Sequence, residues 1–258
     1  MKVYFVGAGP GDPELITLRG KRLLEEADVV VYAGSLIPKE TLAYATHANL
    51  CDSAKLTLEE FMQIMIEAAK SGKKVVRLAS GDPSIYGALG EQTERLRAAG
   101  IEFEIVPGVS SFTAAAAVMG RELTVPDVAQ SIILTRSEGR TKLPELEKLP
   151  LLAAHKTTLV IFLSAHLIEK MQQDLLTAYP PETPCAVVYK ATWPDQKIVR
   201  GPLSELARRV REEEITMTAI VVVGEALRAE GKRSKLYDPE FTHSFRRKKG
   251  ASNQQPRV

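Results

Sequence analysis

The chain has 258 residues, of which 45% are hydrophobic, 26% charged and 6% aromatic, proportions that suit a buried core and exclude a disordered or collagen-like chain. Formal net charge is +2, but residues 232–258 hold eight Lys and Arg against Asp238 and Glu240, a local +6 that leaves the rest at −4. Cys51 and Cys185 are too few for a disulfide framework, which points to a reducing, cytosolic setting, and no apolar run reaches the ~18 residues of a membrane span. Met1 to Val6 enters an apolar run with no small-residue cleavage site behind it, so no signal peptide is expected.

Lys2 to Val6 reads as a first strand, Thr17 to Ala27 as a helix and Asp28 to Tyr32 as a second strand, the rhythm of a parallel α/β sheet. Thr57 and Glu60 have capping-box spacing ahead of Phe61, Ile64 and Met65, and that helix should stop near Gly72 before a strand over Val75 to Ala79. Asp82 and Pro83 are expected to open another helix, as cap and first helical residue. Phe103 to Val106 is the next strand. Pro107 and Gly108 then turn the chain into Ser110 to Met119, a helix whose four alanines permit close approach of a neighbour. Gly120 to Asp127 lacks periodicity and contains Pro126, which makes it a linker. Beyond it, strands are expected at Ser131 to Thr135, Thr158 to Phe162, Cys185 to Lys190, Lys197 to Arg200 and Ala219 to Val223, with helices near Ala165 to Leu176 and Leu203 to Arg211. Alternation is looser there, which predicts mixed strand directions. The expected organisation is an α/β domain over 1–119, a linker over 120–127, a second α/β domain over 128–231 and a basic, flexible tail over 232–258.

The first strand runs into Gly7-Ala8-Gly9-Pro10-Gly11-Asp12-Pro13, where glycines let backbone approach a ligand at the carboxyl edge of a sheet. A dinucleotide fingerprint is disfavoured: Asp12 stands where the third glycine belongs, Pro10 lacks an N–H, and the second strand ends without an acidic residue for ribose. Gly81-Asp82-Pro83 repeats the Gly-Asp-Pro of Gly11 to Pro13 after another predicted strand, so two such turns can line one crevice. Asp82 is either a helix cap, a crevice residue, or both.

Val6 to Gly20, Arg77 to Gly87 and Val106 to Ser111 resemble the three sequence motifs of the tetrapyrrole methylases, and the resemblance continues through Val160 to Ser164 and Met217 to Gly224, leaving the tail outside. Within the family, Val31 to Ile37, Ala79-Ser80-Gly81-Asp82-Pro83 and Gly139 to Pro144 resemble members that methylate ring carbon 11 of precorrin-4 or cobalt-precorrin-4. Uroporphyrinogen-III methyltransferases are the alternative, disfavoured by Ser80 where they carry glycine and by Val125-Pro126 where they carry His-Arg. The resemblance implies two α/β domains with a cofactor cleft between them, a homodimer, S-adenosylmethionine as cofactor and a tetrapyrrole in an adjoining trough. It implies cofactor contacts at Pro10, Ser80, Gly81, Asp82, Ile85, Ser110, Ser111, Leu163, Ala191, Thr218 and Ala219.

Methyl transfer from a sulfonium is an in-line displacement, so positioning in a desolvated crevice should supply most of the catalysis. For removal of the ring proton, Asp12, Asp82 and Tyr86 are the nearest titratable groups, Asp82 first and Tyr86 beside it. Substrate carboxylates call for guanidinium and ammonium partners, and Arg121, Arg136, Arg140, Lys142 and Lys190 are candidates by their places after predicted strands or in the linker. His47, His155, His166 and His243 are scattered, so no protein-bound metal is expected, and Ser110-Ser111 lacks a Gly-x-Ser-x-Gly elbow. Arg246 to Lys249 is too short a basic run, with too few aromatics, to predict a nucleic-acid partner.

Overall fold

The computed structural model describes residues 2–162, 165–229, 234–244 and 246. Its first half alternates strand and helix: β1 (Lys2–Gly7), α1 (Leu18–Glu25), β2 (Val29–Tyr32), α2 (Lys39–Leu42), β3 (Asn49–Asp52), α3 (Leu58–Lys70), β4 (Val75–Ala79), α4 (Leu89–Ala98), β5 (Glu102–Val106) and α5 (Ser111–Met119). The strands form one parallel sheet in the order β3-β2-β4-β1-β5. Its central strands are largely apolar because both faces are covered. Val3, Val29, Val31 and Val75 pack with Phe61, Met62 and Met65 of α3 on one face. Val6, Val30, Val76 and Leu78 pack with Leu23 and Leu24 of α1 on the other. The capping box of Thr57 and Glu60 is present at the start of α3.

The second half contributes β6 (Ile132–Arg136), α6 (Leu149–Ala153), β7 (Thr158–Phe162), α7 (Ile168–Leu176), β8 (Pro184–Tyr189), β9 (Lys197–Pro202), α8 (Leu206–Glu212) and β10 (Ala219–Val223). The sheet order is β6-β7-β10-β8-β9, with β6 and β7 parallel and every other pairing antiparallel, in line with the mixed directions anticipated. α6, α7 and α8 cover one face through Leu149, Met171, Leu175, Leu206 and Val210. The other face, Val160, Phe162, Val188, Ile220 and Val222, is covered by Ala114, Ala115 and Met119 of α5. The alanines of α5 thus bring the helix close to the second sheet, and packing changes over at 107–110, ahead of the stretch 120–127 read as a linker.

One local expectation is corrected, and one strand went unread. No helix opens at Asp82: its Oδ1 accepts from the Ser84 amide at 2.8 Å, making a side-chain turn, and Tyr86 and Ala88 then adopt left-handed φ of 56° and 49°. Those angles break helical propagation until Leu89. β3 went unread because Asn49-Leu50-Cys51-Asp52 is a short, largely exposed edge strand with no apolar alternation. Within the stretch expected to be a tail, Lys235–Tyr237 form a short helical turn, and Arg246 donates to the carbonyls of Leu236 and Asp238, both at 2.6 Å. Residues 247–258 lie outside the described residues.

Candidate functional site

At the carboxyl edge of the first sheet the loops after β1, β4 and β5 are fused backbone to backbone. The Gly9 amide donates to the Gly81 carbonyl at 3.3 Å and the Gly81 amide to the Gly9 carbonyl at 2.8 Å, while the Ala8 amide donates to Ala79 at 2.8 Å. Behind them Gly7, Gly81 and Gly108 touch so closely that a Cβ on Gly108 would stand 2.2 Å from the Gly81 carbonyl oxygen. Gly81 also needs its φ of 64°, which glycine adopts without steric cost.

Asp82 binds these loops together. Its Oδ2 accepts from the Gly108 amide at 2.9 Å and its Oδ1 from the Ser84 amide. Burial pushes the carboxyl upward, but the bonds from Ser84 and Gly108 outweigh it and hold the pKa below the ordinary aspartate value. The group is ionised at neutral pH and a poor proton acceptor. Ser110 stands at the cap of α5 and is 8% exposed, yet its hydroxyl makes no capping bond to the helix. That hydroxyl is therefore available to a ligand, and Ser111 begins the helix beside Gly81.

The opposite wall comes from the second sheet, at the end where β6, β7 and β8 finish and β10 begins. Tyr86 lays its ring against Phe162, centroids 5.3 Å apart, and Ile85 packs into the cluster holding Phe162 and Ala191. Thr218, just before Ala219, accepts from the Lys190 amide at 2.9 Å through its carbonyl. Leu163 follows Phe162 and lies outside the described residues. The loops that carry Pro10, Ser80, Gly81, Asp82, Ile85, Ser110 and Ser111 therefore meet those that carry Ala191, Thr218 and Ala219 where Trp193 bonds to Pro10 and Ile85 packs beside Ala191, and the crevice expected between them is the candidate site. Tyr86, Ala88, Lys190, Thr192 and Thr218, all non-glycine residues with positive φ, flank it. Such strain concentrates at functional sites.

The cations fare differently. Arg136, in register with Phe162, spends its guanidinium on the carbonyls of Ser137, Thr141 and Lys142 at 3.3, 3.0 and 2.9 Å, so it shapes the following loop. Lys190 is paired with Asp195 at 2.6 Å. Arg140 and Lys142 are exposed on that loop and form no ion pair among the described residues. Arg121 is not brought together with these four. It lines a cavity of about 680 Å³ with Pro184, Gly201 and Arg228, at the start of β8, whereas Lys190 follows its end. A six-residue strand separates those ends by about 17 Å. Among the described residues no His, Cys, Asp and Glu grouping could hold a metal.

Sequence reasoning missed a buried support. Arg77 donates to Ser53 Oγ at 2.9 Å and Gln92 Oε1 at 3.3 Å, with its guanidinium 4.7 Å over the Phe61 ring. Gln92, 3% exposed, in turn donates to the carbonyls of Gly87 and Ala88 at 2.9 and 3.0 Å, pinning the turn that presents Tyr86. Burial raises the Tyr86 phenol pKa despite the pull of Arg136, with Glu147 adding to the rise, so the phenol stays protonated at neutral pH. Gln92→Leu removes both ends of this link at nearly constant volume. It is expected to lower stability by about 1–3 kcal/mol in urea titrations and to raise the KM for the ring substrate more than that for the cofactor. Equal effects on both KM values would contradict a role centred on Tyr86.

Two α/β sheets that meet at a junction of glycine loops frame one candidate ligand site. The chain belongs to the family described as Tetrapyrrole (Corrin/Porphyrin) Methylases, which matches residues 2–207. It is 52% identical over 249 residues to the cobalt-precorrin-4 C(11)-methyltransferase of Methanocaldococcus jannaschii, covering 95% of this chain and 96% of that relative. The X-ray structure of a cobalt-precorrin-4 methyltransferase superposes with a TM-score of 0.86 at 47% identity, covering 88% of this chain and 95% of that one. A uroporphyrin-III C-methyltransferase from Thermus thermophilus, complexed with S-adenosylhomocysteine, superposes with a TM-score of 0.76 at 33% identity, covering 88% of this chain and 99% of that one.

Proposed function

We propose that this chain methylates ring carbon 11 of cobalt-precorrin-4 or its metal-free counterpart precorrin-4, using S-adenosylmethionine, in a homodimer acting in the cytosol. The observation that carries the reading is the junction of the two walls, with an uncommitted Ser110 hydroxyl and an ionised Asp82 on one side and apolar Ala191 on the other. This pairing suits a ligand with polar amino-acid and ribose groups on an apolar base. Pro10, Ser80, Gly81, Asp82, Ile85, Ser110, Ser111, Ala191, Thr218 and Ala219 would hold it. Bound there, S-adenosylmethionine supplies an electrophilic methyl group on a sulfonium.

The residues then position rather than attack. Asp82 keeps the Gly81 and Gly108 loops in register. Protonated Tyr86, braced on Phe162, is a hydrogen-bond donor at the crevice mouth, and closure of the two walls excludes water. Arg140 and Lys142 supply cations for the substrate's carboxylates from the loop that Arg136 shapes, and Lys190 supplies another when it exchanges Asp195 for substrate. In this reading the domains over 1–119 and 128–231 supply the two walls, with α5 of the first packed on the sheet of the second.

Incubation with S-adenosylmethionine and, separately, cobalt-precorrin-4, precorrin-4 and uroporphyrinogen III tests it. A product gaining one methylene of mass, with the new methyl at ring carbon 11, is expected from one or both precorrin-4 substrates. Methylation of uroporphyrinogen III alone would overturn the reading in favour of the family's other branch.

A further inference from the structure

The segment after β8 reaches across the crevice and grips the glycine loop by its backbone. The Trp193 indole Nε1 donates to the Pro10 carbonyl at 2.9 Å, and the Asp12 amide donates to Thr192 Oγ1 at 2.9 Å. Gly11 lies between these two bonds, and a Cβ there would stand 2.2 Å from Trp193 Cδ1 and 2.9 Å from the Ala191 carbonyl oxygen. The absence of a side chain at Gly11 is what lets the indole seat.

The segment is also built as a unit before it grips. The Trp193 amide donates to Lys190 at 3.0 Å, the Gln196 amide to Trp193 at 3.1 Å, and the Thr192 amide to Gln196 Oε1 at 2.7 Å. The Lys190 ammonium sits 5.3 Å over the Trp193 ring. Lys190 and Thr192 hold left-handed φ of 44° and 70°, and Thr218, whose carbonyl anchors the Lys190 amide, holds 52°. Positive φ at a β-branched threonine is a true outlier, sustained only where the surroundings over-determine it. Here the strained residues adjoin Ala191 and Ala219 on one wall, and the grip lands on Pro10 on the other.

Resting on the methyl-transfer reading, we propose that Trp193 is a positioning residue: with Thr192 it latches segment 190–196 onto the glycine loop, so that Pro10 and Ala191 are held at one spacing and meet the same cofactor. Fixing the two walls makes the crevice preorganised for in-line transfer, where a small misplacement is costly. Both bonds engage main-chain groups of the glycine loop, so the loop contributes a shape and the second half contributes the side chains. Trp193 is the chain's single tryptophan, which makes the latch directly observable by fluorescence.

The test uses the full chain with S-adenosylhomocysteine as probe. Trp193→Ala is expected to weaken binding measured by calorimetry at least tenfold, while Trp193→Phe, which keeps a ring but not the donor, weakens it by about three- to tenfold, the worth of one net hydrogen bond. Thr192→Gly relieves the left-handed strain while deleting the bond to Asp12, so affinity should fall without a matching fall in thermal midpoint. A merely structural role would move the two together. In the wild type, saturation with the probe should protect the indole from acrylamide quenching. Undiminished affinity in both Trp193→Phe and Thr192→Gly, or quenching unaffected by the probe, overturns the latch alone. Failure of the wild type to bind the probe overturns the methyl-transfer reading itself, and the latch with it.

Discussion

Gly108→Ala is expected to weaken binding of the cofactor product S-adenosylhomocysteine about 100-fold while the rest of the chain stays folded. The new Cβ would stand 2.2 Å from the Gly81 carbonyl oxygen and 2.8 Å from Gly7 Cα, all backbone, so no side chain can swing aside. Overpacking in a closed space typically costs 1–3 kcal/mol and sometimes more; about 3 kcal/mol placed on the three-loop junction corresponds to a loss of affinity of about 100-fold. Binding of S-adenosylhomocysteine by calorimetry and a thermal melt measure the two quantities. Gly90→Ala is the control, because a Cβ there meets nothing within 4 Å and α4 should gain from the better helix former. If Gly108→Ala binds the ligand as Gly90→Ala does, the glycine junction does not shape the site.

Asp82→Asn should weaken the same binding by about tenfold or more and carry a distinctive pH signature, since hydrogen bonds to an ionised group are worth about 1.5–3 kcal/mol. The Asn amide can satisfy Ser84 or Gly108 but presents N–H to the other. Because the folded carboxyl lies below its unfolded value, its stabilisation is complete above the ordinary aspartate pKa and fades as pH falls through the folded value. The stability gap between wild type and Asp82→Asn should thus be about 1–2 kcal/mol near pH 7, discounted for partial exposure, and shrink steadily below about pH 4. A constant gap across that range would mean the carboxylate charge is not what binds the loops. A gap that widens on acidification would contradict the sign of the shift.

These expectations separate binding from proton transfer. An aspartate held ionised by two amides is a better brace than base, and a phenol kept protonated is a better donor than acceptor. Asp82 ranked first among proton acceptors by its place in a loop. Its partners, visible only in three dimensions, move it to the structural side of the site.

What the amino-acid sequence by itself determined was local. The β-branched run Val29-Val30-Val31 favours a strand buried on both faces, Thr57 and Glu60 cap their helix with groups three residues apart, and the motif glycines Gly7, Gly11 and Gly108 mark turns where side chains cannot fit. These depend on neighbours along the chain, so spacing exposes them, and the motifs carried the family. Tertiary structure decided whatever depends on the path the backbone takes through a loop or on residues far apart in sequence. Arg136 looked free for substrate until folding brought the carbonyls of its own loop around it, and Arg121 shared charge with Lys190 but lies at the other end of β8. The Asp82 helix failed because left-handed angles at Tyr86 and Ala88, fixed by Gln92 reaching back to their turn, override a favourable cap. Trp193 meets Pro10 across 183 positions of chain. No periodicity encodes such a contact, because its geometry exists only once both sheets have formed.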